Sequence, residues 1–458
     1  MSNPMVTVVI VNWNGEALLP DCLDALAKQD MPRGSWQVWV VDNGSTDGSL
    51  ALLAERYPEV KVLPLPENLA FAGGNNVAMR TAGTPYTALL NNDAHPEPDW
   101  LRRLVAPMQA PDGERIAATT SKVVFEPRFL RLELGTPGFR PPGDPRELGA
   151  LVRTVEVVLG GEATDVTERV LWEKVAYGPE DVGFVSFRWT RPSGMLLVPI
   201  GQHPATPADL SIRLVARAER AKSLTLRWTD GEATTQLADT EGVHELSIPA
   251  GTRLHDVINN AGSILLAPGY GADRGFQEID EGQYDEPAEV FLFSGTAMCF
   301  RTAALREQGV FDDHFFMYYE DTDLSWRFRA AGWGIRYVPG AVVRHIHSAS
   351  SVEWSPFFTF HVERNRLLTL AKNAPARLAA EQALRFPLTT LSMLRRTVLE
   401  AVREQRRPAL RPTLLRVHVF ASYLRLLPTT LMARRRLERT RKVGRRELLD
   451  RWLTTTRT

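Results

Sequence analysis

A chain of 458 residues has room for two or three domains, each with a real core. Hydrophobic residues make up 44% and charged residues 24%, the balance of a soluble globular protein. The 54 Lys and Arg cancel the 54 Asp and Glu, so the chain as a whole exerts no pull on nucleic acid, and no nucleic-acid partner is expected.

The two cysteines, Cys22 and Cys299, sit in apolar patterns and read as buried thiols rather than a disulfide framework. Residues 1–5 are uncharged, the apolar run 6–11 is only strand length, and no run of 18 apolar residues occurs. The expectation is a cytoplasmic protein without a spanning helix.

Residues 6–11, Val-Thr-Val-Val-Ile-Val, have the pattern of a strand buried on both faces of a parallel sheet. Asn12-Trp13-Asn14-Gly15 breaks the run, and a helix follows with Leu19, Cys22, Leu23 and Leu26 on one face. A second strand over 36–41 ends in Asp42-Asn43-Gly44-Ser45-Thr46-Asp47, where Ser45 or Thr46 is placed to cap the next helix. A third strand over 60–65 precedes Asn68-Leu-Ala-Phe-Ala-Gly-Gly-Asn-Asn76, which opens another helix. The fourth, over 86–90, ends in Asn91-Asn92-Asp93, and Pro98 opens the helix after it.

Strands alternating with helices at this spacing make an open α/β sheet, in which ligands bind outside the carboxyl ends of the strands. Trp13, Asp42 and Asp93 each follow a strand, so all three should face one crevice. An aromatic ring there can stack on a base, and a carboxylate can accept from a base imide or a ribose hydroxyl. The plainer alternatives are packing for Trp13, an Asx turn for Asp42 and a loop role for Asp93. Gly73-Gly74 fits neither the G-x-G-x-x-G nor the P-loop pattern, which removes the main evidence for a dinucleotide or P-loop fold.

Late in the chain, Glu320-Asp321-Thr322-Asp323 lies between five large apolar residues, 315–319, and a helix carrying Leu324, Trp326, Arg327 and Phe328. The helix macrodipole favours acids at such a start, and Asp323 and Arg327 have the i,i+4 spacing of an intrahelical pair.

The segments 9–14, 41–47, 68–76, 90–93 and 319–324 occur in an order and spacing that resemble the family 2 glycosyltransferases of GT-A fold, particularly the bacterial rhamnosyltransferase-like branch. The resemblance implies an inverting transfer from a nucleotide-diphosphate sugar, dTDP-rhamnose or a UDP-sugar, aided by Mg²⁺ or Mn²⁺. It implies that Trp13 flanks the base and Asp42 holds base or ribose, with Asn68, Asn91 and Asn92 on the donor side. Asn91-Asn92-Asp93 stands where the family has its D-x-D metal motif, but Asn91 replaces the first carboxylate, so Asp93 is the one strong hard-cation ligand there. The family's catalytic base falls on Asp321, with Glu320 beside it. Sugar hydroxyls are poor nucleophiles, so a carboxylate within reach of the acceptor proton is useful. His345, directly after a strand, is the closer match to a histidine metal ligand found in some relatives, and His347 the weaker one. The alternative for either is a structural histidine. No H-E-x-x-H pattern supports a hydrolytic zinc site.

The chain thus divides into a nucleotide-binding half over 1–126, an insert over 127–256, an acceptor half over 257–353 and a C-terminal helical region over 354–458. The insert alternates apolar and polar residues over 183–189, 210–215, 223–228 and 243–248, the pattern of a β-sandwich-like domain. Its Trp189 and Trp228 are either core or a sugar-stacking surface. Ser294-Gly295-Thr296 corresponds to an acceptor-side segment of the relatives. From Arg395 to Thr458, 18 Arg and Lys face 5 Asp and Glu, interleaved with Leu414, Leu415, Tyr423, Leu424, Leu427 and Leu431. Such helices lie on anionic membranes, or form a solvated appendage or a homo-oligomer contact. The expected partners are the donor and a cell-envelope glycan or lipid-linked saccharide acceptor. The alternative, favoured by the incomplete D-x-D, is a non-catalytic glycan-binding scaffold with the same fold. Nucleotidyl transfer lacks the basic, glycine-rich N-terminal phosphate loop it needs.

Overall fold

A computed structural model describes residues 4–172, 175–182, 185–346 and 355–455. The chain forms two compact units, one of Met1–Val124, Ile258–Phe276 and Gly282–Thr458, the other of Phe125–Val257 and Gln277–Glu281.

The N-terminal elements are β1 (Val6–Asn12), α1 (Leu19–Ala27), β2 (Trp36–Asp42), α2 (Ser49–Arg56), β3 (Lys61–Pro64), α3 (Ala70–Thr81), β4 (Tyr86–Leu90), β5 (Ala94–Pro96), α4 (Trp100–Gln109) and β6 (Ile116–Phe125). Then come β7 (Arg128–Gly135), β8 (Leu151–Leu159), β9 (Glu162–Asp165), β10 (Glu180–Val182), β11 (Val185–Trp189) and β12 (Ser193–Gly201). They are followed by β13 (Leu210–Arg217), β14 (Lys222–Trp228), β15 (Gly231–Leu237) and β16 (Gly242–Ile248). The chain returns with β17 (Ile258–Asn260), β18 (Ser263–Leu266), β19 (Tyr270–Asp273), β20 (Ala288–Glu289), β21 (Ala297–Arg301), α5 (Thr302–Gln308), α6 (Glu320–Ala330) and β22 (Gly334–His345). Four helices end it: α7 (Pro356–Asn373), α8 (Ala376–Arg403), α9 (Arg411–Leu437) and α10 (Arg445–Trp452).

The first unit is built on one mixed sheet in the order β20-β22-β6-β21-β4-β1-β2-β3. β3, β2, β1 and β4 run parallel, while β21 pairs antiparallel with β4 and with β6. Because β1 leads outward to β2 and β3 on one side while β4 lies on its other side, the strand order reverses at β1. That switch point opens a crevice at the carboxyl strand ends. β1 is apolar on both faces because both are covered. Val8 and Ile10 pack with Leu19, Leu23, Trp100 and Leu104, whereas Val9 packs with Met79, Phe293, Phe300 and Phe328. Register sets Asn12 opposite Asp42, so the two side chains start level at the sheet edge.

Two expected starts differ. The cap of α2 is not supplied by Ser45 or Thr46: Asp47 Oδ1 accepts from the Ser49 amide at 3.1 Å, while the Ser45 hydroxyl is taken by the Asn14 amide at 2.9 Å. Helix α4 begins at Trp100, two residues beyond Pro98.

In the second unit, β10-β11-β8-β13-β16 with β9 form one antiparallel sheet and β12-β7-β14-β15 another. Their facing sides share a core that includes Leu132, Val155, Leu196, Ile212, Leu224 and Leu246, the arrangement of a sandwich. Trp189 packs edge-on against Phe139 at 5.5 Å and Trp228 leans on the core, so neither stands among the exposed aromatics.

Among the described residues no helix is long and apolar enough to cross a membrane. Helix α7 belongs to the core of the first unit, with Leu367, Leu368 and Leu370 buried.

Candidate functional site

The edge formed by β1, β2 and β4 is tied by side-chain amides. Asn12 Nδ2 donates to Asp42 Oδ1 at 3.3 Å, and Asn12 Oδ1 accepts from Asn92 Nδ2 at 3.0 Å. Asp42 Oδ2 accepts from the Ser45 amide at 3.1 Å, so the Asx-type turn is present and Asp42 is buried within it. Asn68 Oδ1 accepts from Asn43 Nδ2 at 2.9 Å and from the Ala70 amide at 2.7 Å, fixing the start of α3. Asn14 and Ala70 hold φ of 48° and 60°, left-handed conformations that only surrounding bonds maintain. Trp13 projects from this edge with half of its surface exposed.

Next to this edge, Asp93 Oδ1 lies 3.2 Å from His345 Nε2, and Asn259 Oδ1 lies 3.4 Å from His345 Nδ1. The Ile346 amide donates to the Asp93 carbonyl at 3.1 Å, completing the pairing of β22 with β5. Among the described residues no group of three His, Cys, Asp or Glu gathers to hold a metal. A carboxylate oxygen and an imidazole nitrogen this far apart do fit two neighbouring positions of an octahedral shell, since ligands about 2.1 Å from an ion at right angles are about 3 Å apart. His347 lies outside the described residues.

The acidic box opens α6. Tyr318 and Tyr319, with φ of 68° and 70°, turn the chain so that Glu320 and Asp321 begin the helix. Two successive left-handed aromatic residues are costly, of order 1–3 kcal/mol each. They are held by α7: Asn365 Nδ2 donates to the carbonyls of Met317 and Tyr318 at 2.9 and 2.7 Å, and Arg364 Nη2 to that of His314 at 3.2 Å. From the opposite side, Asn76 of α3 binds the Phe311 carbonyl and Asp313 at 2.9 and 2.8 Å.

Asp321 is partly buried and its Oδ1 accepts from the Thr322 amide and hydroxyl at 2.5 and 3.1 Å. Burial pushes its carboxyl up to about 6 against these bonds, and the charge of Asp273 adds to the rise. Glu320 is raised well above the usual carboxylate range by burial and then by the charge of Asp321, and its Oε2 is buried without a hydrogen bond. The two adjacent buried carboxyls therefore disfavour the doubly ionised state. A Cβ on Gly295 would stand 3.6 Å from Asp321 Oδ2, so the Ser294–Thr296 segment passes beside the carboxylate. On its other side the same segment accepts from the Asn91 amide through the Thr296 carbonyl at 3.0 Å.

Asp323 has a different part. It is fully buried, with Arg327 Nε at 2.9 Å, Lys372 Nζ at 3.0 Å and Asn373 Nδ2 at 2.8 Å. Arg327 also caps the carbonyls of Gln308 and Val310 at 2.6 and 2.7 Å. The cluster locks α6 to α7 and to the end of α5.

The residues that sequence reasoning missed are largely amides: Asn12, Asn76, Asn259, Asn365 and Asn373. A signal existed for one of them, since His361, Arg364 and Asn365 form a polar i,i+3,i+4 set on one face of α7.

A parallel sheet reversing at β1, an antiparallel return through β21 and polar strand ends define a GT-A-type nucleotide-sugar transferase fold. The profile described as "Glycosyl transferase family 2" matches residues 7–142, and that described as "Glycosyl transferase family group 2" matches residues 279–429. The chain is a member of the family 2 glycosyltransferases. It is 29% identical over 106 residues to the glycosyltransferase AglE of Haloferax volcanii, covering 22% of this chain and 35% of that protein. It is 44% identical over 73 residues to the N-acetylglucosaminyl-diphospho-decaprenol L-rhamnosyltransferase of Mycobacterium tuberculosis, covering 16% and 24%. The matched stretches thus span about a third and a quarter of those relatives. Among solved structures, a mannosyltransferase from Pyrobaculum calidifontis in complex with GDP-Man and Mn²⁺ overlays at a TM-score of 0.39 and 14% identity, covering 93% of this chain and 88% of that one.

Proposed function

We propose that the protein transfers a sugar, with inversion, from a nucleotide-diphosphate donor to a hydroxyl of a cell-envelope glycan or lipid-linked acceptor. The carrying observation is the pair Glu320 and Asp321, set at a helix start by a strained turn, with Asp321 raised to about 6 and Gly295 leaving the space beside it open. Asp321 takes the proton from the acceptor hydroxyl as its oxygen attacks the anomeric carbon. The bond to the diphosphate breaks on the opposite face, and the electron pair leaves with the phosphate. Trp13 stacks on the base, Asp42 accepts from base or ribose, and Asn91, Asn92 and Asn68 shape the donor side.

Asp93 and His345 would hold a Mg²⁺ or Mn²⁺ ion, whose charge neutralises the departing diphosphate. The likeness to the mycobacterial L-rhamnosyltransferase supports a rhamnosyl donor, which the family resemblance gives as dTDP-rhamnose, with a UDP-sugar as the alternative. The experiment is a screen of nucleotide sugars for metal-dependent donor hydrolysis and for transfer to polyprenyl-diphosphate saccharides; no turnover of any donor with Mg²⁺ or Mn²⁺ would contradict it.

The same reading gives the chain a peripheral seat on an anionic membrane. On α8, Leu384, Leu388, Leu391, Val398 and Val402 form one exposed stripe at heptad spacing, and on α9 Leu414, Val417, Leu424 and Leu431 form another. Arg395, Arg396, Arg403 and Arg407 accompany the first stripe, the chemistry of an interfacial helix beside acidic headgroups. Flotation with phosphatidylglycerol vesicles should be lost in Leu388→Glu/Leu391→Glu. A dimer formed through the stripe and no vesicle binding would replace the membrane by a second copy.

A further inference from the structure

Behind the acidic box, β19, α7, α8 and α9 line an open pocket of about 540 Å³, apart from the residues assigned above to the donor and the base. Its wall carries four guanidinium groups, Arg366, Arg385, Arg396 and Arg416, against the single carboxylate of Glu363. Arg366 is 3% exposed, lies over the Tyr270 ring at 4.3 Å and donates to Gln382 Oε1 at 3.3 Å. Arg416 lies over the Phe386 ring at 4.0 Å and is braced by the Thr389 and Thr390 hydroxyls at 3.0 and 2.9 Å. Gln382 is also 3% exposed, and its Nε2 is buried without a hydrogen-bond partner. A buried amide donor left unmade costs about 1–3 kcal/mol, a cost that a ligand acceptor in the cavity would remove.

We propose that this cavity binds the phosphate or diphosphate group of a larger ligand. Planar guanidinium forks match phosphoryl oxygens, and rings beneath two of them fix their orientation. Four such groups repel a metal ion, and a neutral sugar gives them no counter-charge. Tyr270 connects the cavity to the reacting centre. Arg366 acts on both the Tyr270 and the Tyr319 phenols, the Gly271 backbone meets Tyr319, and Tyr319 directly precedes Glu320. Leu388 and Leu391 alternate on α8 with the cavity residues Thr389 and Ser392, so the anion sits beside the exposed apolar stripe. On the proposed function, that anion is the phosphoryl end of a lipid-linked acceptor whose saccharide reaches Asp321. The site itself needs only the arginines.

The test uses the full chain with EDTA, so that metal-dependent diphosphate binding at Asp93 is silent. Inorganic diphosphate is titrated calorimetrically into the native protein and into Arg385→Ala/Arg396→Ala, two exposed side chains whose loss leaves the core intact. Native binding that weakens about tenfold or more in the double variant, at unchanged melting temperature, supports the site. No binding by the native protein, or equal affinity in the variant, overturns it. A second arm floats the protein with phosphatidic acid vesicles. Release by inorganic diphosphate identifies a lipid headgroup as occupant, and unchanged flotation with diphosphate still bound identifies a soluble phosphoryl ligand. Either result leaves catalysis untested, so failure here is distinct from failure of the transferase reading.

Discussion

Asn365 Nδ2 lies 2.7 Å from the carbonyl oxygen of Tyr318, the first of two aromatic residues held in the left-handed region immediately before the acidic box. A residue of α7 thereby sets the direction of a carboxylate on α6. Asn365→Ala removes this bond and the one to Met317, each worth about 1 kcal/mol net. The turn then relaxes. Turnover should fall by more than tenfold while nucleotide affinity, which depends on the carboxyl ends of β1, β2 and β4, stays within about twofold. Steady-state kinetics alongside nucleotide titration check this; a parallel loss of both would mean that α7 supports the whole fold rather than the box.

Asp321 carries a pH signature. With its carboxyl raised to about 6 by burial and by Asp273, activity should drop about tenfold per pH unit below 6, since only the ionised form accepts a proton. Stability moves the other way. A folded value above the unfolded value of about 3.9 means that the fold binds the proton more tightly, so stability declines as pH rises from about 4 to 6 and levels above. Asp321→Asn removes that term and should stabilise the protein at pH 7 by about 1–2 kcal/mol. Glu320 is raised too, by burial and then by the charge of Asp321. Urea titrations at pH 5 and 7.5 on both proteins measure the difference.

The Asp323 cluster should behave as structure. Asp323→Ala leaves Arg327 in the core without its carboxylate, and breaking a buried pair in this way costs about 3–5 kcal/mol. Lys372 also pairs with Asp312, whose carboxyl it draws well below the usual range in spite of burial. A depressed folded value contributes stability above about pH 4 that is lost as pH falls further. Chemical denaturation should therefore show the variant destabilised at pH 7 and the native protein losing stability in acid. A stable, inactive Asp323→Ala would give this residue a chemical role instead.

The Asp93 and His345 pair predicts metal-dependent donor binding. Asp93→Asn and His345→Ala should each weaken the stabilisation by Mn²⁺ with nucleoside diphosphate about tenfold or more, with little change in melting temperature without metal. Nucleotide binding indifferent to EDTA would remove the ion from the account.

The parallel half of the sheet was legible because β1 and β4 are buried on both faces and apolar runs with polar ends recur at an even spacing. Asp323 and Arg327 were legible for a local reason, four residues on one helix. What stayed hidden was contact across distance. Nothing in the order of residues says that Asn365 meets Tyr318, or that Asn259 meets His345, because an asparagine in a loop and one bridging two elements look alike. Helix α7 falls within the region 354–458 read as helical, but that its Arg364, Arg366 and Lys372 are buried, each with a partner, is not visible in the sequence. Gln382 and Arg416 came together only through the packing of α8 on α9.

The most direct test of the account is a paired measurement on native protein and Asp321→Asn: the rise in melting temperature with nucleoside diphosphate and Mn²⁺, and the rate of sugar transfer. The account predicts the same thermal shift in both proteins and a rate at least a thousandfold lower in the variant, about 4 kcal/mol of transition-state stabilisation. Full transfer by Asp321→Asn, or no thermal shift in either protein under any metal condition, would contradict it.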